Sequence, residues 1–288
     1  MHVYIFTSPA DYSIKLIEQE LFRRHVPFEK NYFKNVSVIE NELFVRGKKF
    51  AIDRTGKILI RNAWNSPFFT RDYTILAREI IKAYGSQVVF DTHVHQEHIP
   101  FFLDKLYQAF LYNRLALNTP RVWYFSHERH IAWDNLVFPC VLKKRISSRS
   151  RANFLIEDKQ ELINMLLTVK LHEYLIQEYI DAKRDVRINM LNGRALYAFE
   201  RTMRIHEEDH RLYVKGGIPL EHVPKELDGM AQKLVTETGI DFAGVDFLQG
   251  KDGKYYLIET NLSPQFNRAE DIMPVKTAEL VVDEILKG

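Results

Sequence analysis

Hydrophobic and polar positions in the first part of the chain alternate between short apolar runs and stretches with helical spacing. The run HVYIF predicts a strand. DYSIKLIEQELFRRH predicts a helix after it, because Ile14, Ile17 and Leu21 recur three and four residues apart. RDYTILAREIIKAYG predicts a second helix that ends at Gly85, followed by a buried strand in QVVF. Further short strands are predicted at 42–46, 49–53 and 57–62. Strands and helices in this order predict an α/β lobe, which we place at residues 1–95.

The rest of the chain also mixes the two patterns. FLDKLYQAFLYNRLALN predicts a helix with Asp104 in its first turn, and EDKQELINMLLTVK predicts another, with a capping-box-like start at Asp158 and Glu161. PKELDGMAQKLVTETG predicts a third helix and VKTAELVVDEILKG an amphipathic fourth. RVWYFS, FPCVLKKR, EYLIQEYI, DVRINMLN and RALYAFERTM predict strands, the last two joined by a turn at Asn192-Gly193.

Composition narrows the class of protein. The 288 residues are 46% apolar and 27% charged, as in a soluble globular protein with an ample core. A net charge of +2 gives no general electrostatic argument for binding nucleic acid or an anionic membrane. The single cysteine, Cys140, excludes an internal disulfide, and we interpret it as a small buried hydrophobe rather than a nucleophile. MHVYIFTSPADY lacks the pattern of a signal peptide, so a cytoplasmic location is predicted.

Two acidic residues and an amide fall on one predicted hairpin near the C-terminus. Asp252-Gly253 suits a two-residue type I′ turn, and this register places Asp246 opposite Glu259, with Asn261 on the same face. Like charges that face each other destabilise a sheet, and a hard divalent cation would remove the conflict. Carboxylates that are solvated or paired with arginines are the alternative interpretation. The pattern alone leaves both open.

The stretch GVDFLQGKDGKYYLIETNLSPQF resembles the C-terminal signature of the ATP-grasp superfamily, in which one strand carries Asp and the next carries Glu-x-Asn. Its E-x-N-x-S-P run is most similar to the RimK-like branch. DKLYQAFLYNRLALNTP, FPCVLKKR and YLIQEYIDAKRDVRINMLNGRALYAFERTMR resemble, in the expected order, the family's Asp-Lys helix, its phosphate-lysine strand, and its adenine hinge with the strands that follow. The match extends from about residue 100 to the end, and the preceding residues match only as a generic α/β lobe.

The resemblance implies a fold of the α/β (α+β) class, the three-lobed ATP-grasp fold with an N-terminal pre-ATP-grasp α/β lobe. Residues 1–95 would form that lobe. Residues 96–175 would form the linker helix and the central lid subdomain, and 176–288 the C-terminal catalytic subdomain. ATP and Mg²⁺ (or Mn²⁺) would lie between the last two, with the KKRISSRSR loop able to close over the nucleotide.

The resemblance also implies roles for individual side chains. The implied nucleotide-binding residues are Lys105 and Lys143 for the phosphates, Ser148 in the loop, Glu178, Tyr179 and Ile180 for adenine, and Asp185 for the ribose. The implied metal ligands are Asp246, Glu259 and Asn261, and the implied catalytic residues, which would contact the γ-phosphate or the reacting carboxylate, are Arg187 and Arg201. Lysines, arginines and a divalent cation together suit the transfer of a highly charged phosphoryl group.

Two features depart from the family pattern. Members have a Gly-rich loop after the phosphate lysine, whereas this chain has no glycine from 141 to 155. The serines and arginines of the loop would therefore bind phosphate or a substrate through side chains, or the loop is simply solvated. Leu212 and Tyr213 stand where relatives often place an asparagine, and Arg211 is the nearest polar candidate.

The predicted function is an ATP- and Mg-dependent carboxylate–amine ligase that forms an amide or peptide bond through an acyl phosphate. Its substrates would be a small-molecule, amino acid, peptide or protein carboxylate and an amine. The alternative is a catalytically degenerate ATP-binding protein that acts as a binding or regulatory module. A third interpretation, nucleic-acid binding through residues 143–151, is disfavoured by the low net charge. The oligomeric state stays open, and a homo-oligomer is compatible with the sequence.

Two other stretches carry polar residues without a clear partner. HVHQEH invites a zinc interpretation through His93, His95 and His98, but no fourth ligand follows at a recognisable spacing, which favours a loop. IRNAWNSPFF carries Arg61, Asn62 and Trp64. This stretch either presents a substrate-binding face from the first lobe or forms an aromatic cluster under a loop.

Overall fold

The structure is a computed structural model and describes residues 1–9, 11–40, 42–61, 70–90, 102–147 and 152–287. The α-helices in these ranges are α1 (Ile14–Arg23), α2 (Thr70–Tyr84), α3 (Lys105–Arg114), α4 (Lys159–Leu166), α5 (Lys225–Thr238), α6 (Asn267–Ile272) and α7 (Thr277–Lys287). The strands are β1 (Val3–Thr7), β2 (Phe28–Tyr32), β3 (Val36–Ile39), β4 (Glu42–Val45), β5 (Lys48–Lys49), β6 (Lys57–Ile60), β7 (Val88–Val89), β8 (Val122–Trp123), β9 (Cys140–Lys144), β10 (Asn153–Ile156), β11 (Tyr174–Glu178), β12 (Ala182–Leu191), β13 (Arg194–Ile205), β14 (Leu212–Pro219), β15 (Phe242–Gly250) and β16 (Tyr255–Leu262).

The first lobe is built on a parallel sheet with the strand order β2-β1-β6-β7. A parallel sheet is stable when both faces are covered. One face carries Phe6, Ile58 and Ile60 against α2. The opposite face carries the buried Val3, Ile5 and Leu59, which pack against α1 and the C-terminal helix α7. The last helix of the chain therefore completes the core of the first lobe.

The central lobe is an antiparallel sheet with the order β10-β9-β11-β8. Helix α4 covers one face through the buried Leu162 and Leu166. The predicted start is present in a modified form. The Asp158 side chain caps the helix by accepting a hydrogen bond from Glu161 N at 2.9 Å, whereas the Glu161 carboxylate accepts one at 2.6 Å from the N of Glu157, the residue before the cap. Cys140 is fully buried in this sheet, and burial raises the pKa of its thiol to about 12. The predicted buried cysteine is confirmed.

The largest sheet is antiparallel, in the order β14-β13-β12-β15-β16. Strand β12 alternates strictly. Val186, Ile188 and Met190 pack on one face against α3 and α5, so Arg187 and Asn189 point to the other face. The turn between β12 and β13 has Asn192 and Gly193 at φ 48° and 74°, as the predicted type I′ turn requires. One face of this sheet is therefore core and the other is polar.

The end of the β15–β16 hairpin differs from the prediction. The turn has three residues, 251–253, closed by a hydrogen bond from Gly250 N to Lys254 O at 3.0 Å, with Gly253 at φ 84°. The predicted two-residue turn is wrong. A bulge at Ile258 then inserts one residue between the pairs Phe247–Leu257 and Asp246–Glu259. The two one-residue departures cancel, so the predicted opposition of Asp246 and Glu259 is confirmed.

Some other predicted elements begin or end at different residues in the structure, and some observed elements were not predicted. Helix α3 begins at Lys105 rather than before Asp104, because the Asp104 side chain is an N-cap that accepts from Leu106 N at 3.0 Å. The predicted strand 49–53 is reduced to Lys48–Lys49. Five elements have no counterpart among the predictions: β2, β3, β10, β14 and α6. Within the described ranges, none of the helices combines the length and apolarity needed to cross a membrane.

Candidate active site

The polar face of the large sheet carries the two carboxylates and the amide singled out from the sequence. Asp246 and Glu259 lie opposite each other on β15 and β16. Asn261, two residues further along β16, donates a hydrogen bond through Nδ2 to Asp246 Oδ2 at 3.2 Å. The Asp246 side chain is 9% exposed and that of Glu259 27%. The structure thus brings the three predicted metal ligands together on one face.

Two arginines lie on the same face and pair with these acids. Arg187 is opposite Asp246 across β12 and β15, and its Nε and Nη2 each donate to an Asp246 oxygen at 2.5 Å. Arg201 on β13 places Nη2 3.0 Å from Asp246 Oδ1 and donates through Nε to Asp185 at 2.5 Å. The interpretation of arginine-paired carboxylates is therefore correct for Asp246 in this state of the protein.

The pKa values of Asp246 and Asp185 shift in opposite directions, because the arginines contact the two carboxylates to different extents. Burial opposes the ionisation of Asp246, but Arg187 and Arg201 outweigh it and hold the pKa of that carboxyl below its usual value. Burial raises the pKa of Asp185, because the single hydrogen bond from Arg201 does not compensate for it. Asp246 is consequently the more strongly ionised of the two.

Two lysines reach this face from the central lobe and its linker helix. Lys105, the first residue of α3, lies with Nζ 3.6 Å from Glu259 Oε1 and donates to Ser147 O at 3.1 Å. Lys143 is buried on β9 and donates to Gln177 Oε1. Burial lowers the pKa of Lys143 to about 8, and the positive charge of Lys105 acts in the same direction while Glu259 opposes it.

The predicted adenine hinge begins at Glu178, the last residue of β11, and the side chain of Glu178 is already paired with an arginine. The Glu178 carboxylate accepts from Arg121 Nε and Nη2 at 3.1 Å each and from Arg121 N at 3.1 Å. A nucleotide contact by this carboxylate would require that pair to open. The predicted adenine contacts of Tyr179 and Ile180 would then be made by their backbone groups. These contacts stay a prediction.

An apolar cluster lies beside the hinge and was not predicted. Val141 and Leu155 of the central sheet contact Leu212 of β14, and Tyr179 packs against them. Leu212 replaces the asparagine expected there and is 8% exposed. Arg211, the nearest polar candidate, has its Nη2 3.6 Å from Asp209, and a role for it in place of the asparagine stays a prediction. The residues come from strands far apart in sequence, so no local pattern could have indicated this cluster.

Several predicted residues lie elsewhere. Those outside the described residues are Ser148, Asn62, Trp64, His93, His95 and His98. Arg61 is 1% exposed and is paired with Asp11 at 3.0 Å, so it does not present a substrate-binding face. Sequence reasoning also missed Gln177, the partner of Lys143, and the pair Asp104–Arg145 beside Lys105.

The donor set suits a hard cation that keeps other ligands. In the portion of the chain that the structure describes, no group of three or more His, Cys, Asp and Glu side chains is arranged to hold a metal ion. The oxygens of Asp246, Glu259 and Asn261 are the predicted donors for a cation at this face, and their role as metal ligands stays a prediction. Mg²⁺ and Mn²⁺ bind oxygen ligands of this kind and usually retain waters and substrate phosphates.

Comparisons with known proteins identify the family of this chain. The family model described as "RimK-like ATP-grasp domain" matches residues 121–285. Beta-citrylglutamate synthase B of Danio rerio is 30% identical over 164 residues, which are 53% of this chain and 38% of that protein. Coenzyme gamma-F420-2:alpha-L-glutamate ligase of Methanocaldococcus jannaschii is 32% identical over 143 residues, 48% of this chain and 49% of that one. The match spans less than half the length of these two relatives.

Solved structures extend the likeness to the whole chain. The ATP-grasp ligase PsnB, complexed with a phosphomimetic variant of a minimal precursor, Mg and ADP, has a TM-score of 0.74 at 18% identity, covering 99% of this chain and 97% of that chain. The macrocyclase MdnC from Microcystis aeruginosa, bound with the precursor peptide MdnA, has a TM-score of 0.71 at 14% identity and covers both chains fully (100%). The predicted fold class, a mixed α/β ATP-grasp fold, is confirmed. Because the family model covers more than half of the sequence, the chain belongs to the RimK-like ATP-grasp family.

Proposed function

We propose that this protein is an ATP- and magnesium-dependent carboxylate–amine ligase that forms an amide bond. The observation that carries the proposal is the convergence of Lys105, Arg187 and Arg201 on a face that also holds two carboxylates. Such a mixture of cations and oxygen donors suits a nucleotide triphosphate and its metal ions, since phosphoryl transfer depends mainly on positioning and charge neutralisation.

Each group has a defined task in this proposal. Lys105 and Lys143 would bind phosphate oxygens of ATP, and the apolar cluster beside the hinge would receive the flat base. Asp246, Glu259 and Asn261 would hold magnesium, which would supply positive charge against the phosphates. Arg187 and Arg201 hold Asp246 ionised and would orient the substrate carboxylate by their forked donors.

The reaction has two steps. An oxygen of the substrate carboxylate attacks the γ-phosphorus of ATP, the bond to the departing ADP oxygen breaks, and an acyl phosphate forms. The amine nitrogen then attacks the acyl carbon, phosphate leaves with the bonding electron pair, and the nitrogen loses a proton as the amide forms. The protein aligns the reactants and excludes water from the acyl phosphate.

The substrate carboxylate is inferred to belong to an amino acid or a peptide. The curated relatives include a glutamate ligase, and two of the similar solved structures hold a precursor or precursor peptide. At 14–18% identity these structures support the shared fold, and the substrate class rests on this chain's family. The serines and arginines of the segment after Lys143 favour an acidic acceptor.

One observation favours a second function, that of an ATP-binding module without chemistry. Leu212 is buried against Val141 and Leu155 where relatives often have an asparagine, so one phosphate or metal contact is absent at that position. The acids Asp246 and Glu259 would have no purpose in such a module beyond holding the nucleotide.

Substrate-dependent ADP release tests the proposal. Amino acids and acidic peptides would be screened with Mg·ATP, and products identified by mass spectrometry. Glu259→Gln keeps the size of the side chain and removes its charge, so turnover should fall by at least about 100-fold while the melting temperature is unchanged. Glu200→Gln, which alters an acid of β13 paired with Arg184 at 3.6 Å, is the control and should retain activity.

One result would decide against the proposed metal site, and another against the ligase. Full activity in Glu259→Gln would show that this carboxylate does not serve the reaction. Tight Mg·ATP binding by the native protein, without ADP release for any carboxylate and amine tested, would favour the binding module.

A further inference from the structure

The two lysines assigned to the nucleotide phosphates come from different elements, so something must fix their separation. Lys105 begins α3, and Lys143 lies on β9. Both must reach one triphosphate, which spans only a few ångströms. Arg145, two residues after Lys143, makes the contacts that join these elements.

Arg145 grips the start of α3 with a forked ion pair. Its Nε donates to Asp104 Oδ1 at 3.1 Å and its Nη2 to Asp104 Oδ2 at 2.5 Å. Its backbone carbonyl accepts from Lys105 N at 3.1 Å. Lys105 Nζ donates in turn to Ser147 O, two residues further along the loop. With the longer hydrogen bond from Lys105 Nζ to Ser147 Oγ at 3.4 Å, five hydrogen bonds join Asp104-Lys105 to the segment 145–147.

The remaining donors of Arg145 anchor it in the central lobe. Its Nη1 donates to Tyr124 OH at 3.2 Å and to His172 O at 3.0 Å, and its guanidinium lies 4.8 Å from the centre of the Tyr124 ring. The backbone N of Arg145 donates to Glu173 O at 2.8 Å. The guanidinium is thus held on the central lobe and cannot follow α3 independently. Its side chain is only 25% exposed, so solvent screens the pair weakly.

We propose that Arg145, through Asp104, is a positioning residue that holds Lys105 at its working distance from Lys143. The inference rests on the proposed function, because it assigns both lysines to one nucleotide. Asp104 has two tasks, since its carboxylate also caps α3. Arg145 does not itself contact the nucleotide in this proposal. Its loss should weaken nucleotide binding only as far as Lys105 moves.

The neighbouring residue provides a matched control. Lys144 pairs with Glu173 at 2.9 Å, and both side chains are 38% exposed. Lys144 lies on the same strand as Lys143, but its pair with Glu173 does not involve α3. Glu173→Gln removes one ion pair from the central lobe without affecting the contact with Lys105.

The experiment measures Mg·ADP affinity by calorimetry, together with the melting temperature. Arg145→Gln should weaken binding about tenfold, since a charge-assisted forked hydrogen bond is lost. Asp104→Asn should do the same, because asparagine caps a helix as well as aspartate and only the ion pair is removed. Glu173→Gln should bind like the native protein. If Arg145→Gln does not fold, Asp104→Asn carries the test.

A double-mutant cycle separates positioning from general damage. In a Lys105→Met background, Arg145→Gln should have no further effect on Mg·ADP affinity, because the group it positions is gone. Losses that simply add would overturn the inference, and so would native affinity in both Arg145→Gln and Asp104→Asn. A native protein that does not bind Mg·ADP would instead refute the proposed function, and this inference with it.

Discussion

At the scale of single residues, the acids and bases of the site act as counter-ions for one another. Asp246 receives hydrogen bonds from Arg187, Arg201 and Asn261, and Glu259 lies 3.6 Å from Lys105. An unpaired buried charge costs several kcal/mol, so these ion pairs stabilise the charged side chains of the site without a bound ligand. A metal ion that binds Asp246 must compete with Arg187 for the same oxygens. Cation binding would therefore release the guanidinium of Arg187 from this carboxylate.

Lys143 gives the site a pH dependence. Burial lowers the pKa of its ammonium from 10.5 to about 8, and a phosphate group binds the protonated form. Mg·ADP affinity should therefore be constant below pH 8 and fall about tenfold for each pH unit above it, since binding then requires uptake of a proton. Calorimetry across this range checks the slope, and Lys143→Arg should give a flat profile because arginine stays charged.

Lys143 also makes the stability of the fold depend on pH, and stability should rise over the range in which nucleotide affinity falls. Its pKa is lower in the folded protein than in the unfolded chain, so the unfolded chain holds the proton more tightly between about pH 8 and 10.5. The unfolding free energy of the native protein relative to Lys143→Arg should rise across this window, by at most about 3 kcal/mol. For the binding prediction, a Mg·ADP affinity that does not change up to pH 10 would show that Lys143 does not contact the phosphates.

The residue types of the site were predictable, but their partners were not. Asp246, Glu259 and Asn261 were found because alternation along the strands places them on one face, and Arg187 was found through the resemblance to the ATP-grasp family. The pairing of Glu178 with Arg121 was not predictable, since the two are 57 positions apart. Arg145 was interpreted only as loop charge, because the contact with Asp104 exists only once α3 has packed against the central sheet.

At the scale of elements, the β15–β16 hairpin shows that turn and register can be wrong separately. The three-residue turn alone would shift the pairing by one residue and place Glu259 on the core face. The bulge at Ile258 restores the pairing before Glu259 is reached. Turn residues such as Asp252-Gly253 do not determine loop length by themselves, and the buried face of the strands, including Phe247, decides the final register.

Edge strands were the elements most often missed. β2 and β14 each lie at the edge of their sheet and read as FEKNY and LYVKGGIP, with little apolar alternation. Helices with clear ends were predicted well. Gly239, for example, follows α5 at φ 66°, as a C-terminal glycine should. Hydrophobic period and caps are local signals, whereas the pairing of a polar edge strand depends on its neighbour.

Gly244 provides a test of packing beside the proposed metal ligands. It pairs with Asn261, and a Cβ at this position would lie 2.9 Å from Pro264 Cβ and 3.4 Å from Asn189 Oδ1. Gly244→Ala should therefore destabilise the protein by about 1–3 kcal/mol in urea unfolding, because neither a proline ring nor a buried amide can yield easily. The same change should weaken Mg·ATP turnover by moving Asn261.

The control for this substitution is another glycine in open space. Gly229 lies inside α5, and nothing lies within 4 Å of a Cβ built there. Gly229→Ala should stabilise the protein by about 1 kcal/mol, as alanine favours a helix interior. Equal stabilities for the native protein and Gly244→Ala would mean that the segment around Pro264 moves aside without cost.

At the scale of the whole molecule, the first lobe is joined to the segment that directly follows β16. Gln265 Oε1 accepts from Tyr12 N at 2.9 Å and from Ser13 N at 3.1 Å, and Ser13 Oγ accepts from Phe266 N at 2.7 Å. Arg61 donates to Pro264 O at 3.1 Å. These contacts lie a few residues after Asn261, so the first lobe fixes the end of β16 as well as its own core.

The buried pair Arg61–Asp11 is the centre of this junction. Arg61 Nε donates to Asp11 Oδ2 at 3.0 Å, with the two side chains 1% and 0% exposed. The guanidinium lies 5.3 Å and 5.4 Å from the ring centres of Phe242 and Phe266. Arginine is the cation suited to this position, because its flat guanidinium is weakly hydrated and stacks on aromatic rings.

Arg61→Met should leave the Asp11 carboxylate buried without its cation and lower the unfolding free energy by about 3–5 kcal/mol in denaturant titrations. Adding Asp11→Asn should recover part of that loss, because the uncompensated charge is removed. Asp283→Asn, which alters a partly exposed pair with Arg24 at 2.5 Å across α1 and α7, should cost about 1 kcal/mol or less. Because Arg61 also holds Pro264, the Arg61→Met variant should bind Mg·ADP more weakly even where it is fully folded. Native affinity in that variant would show that the end of β16 keeps its position without the first lobe.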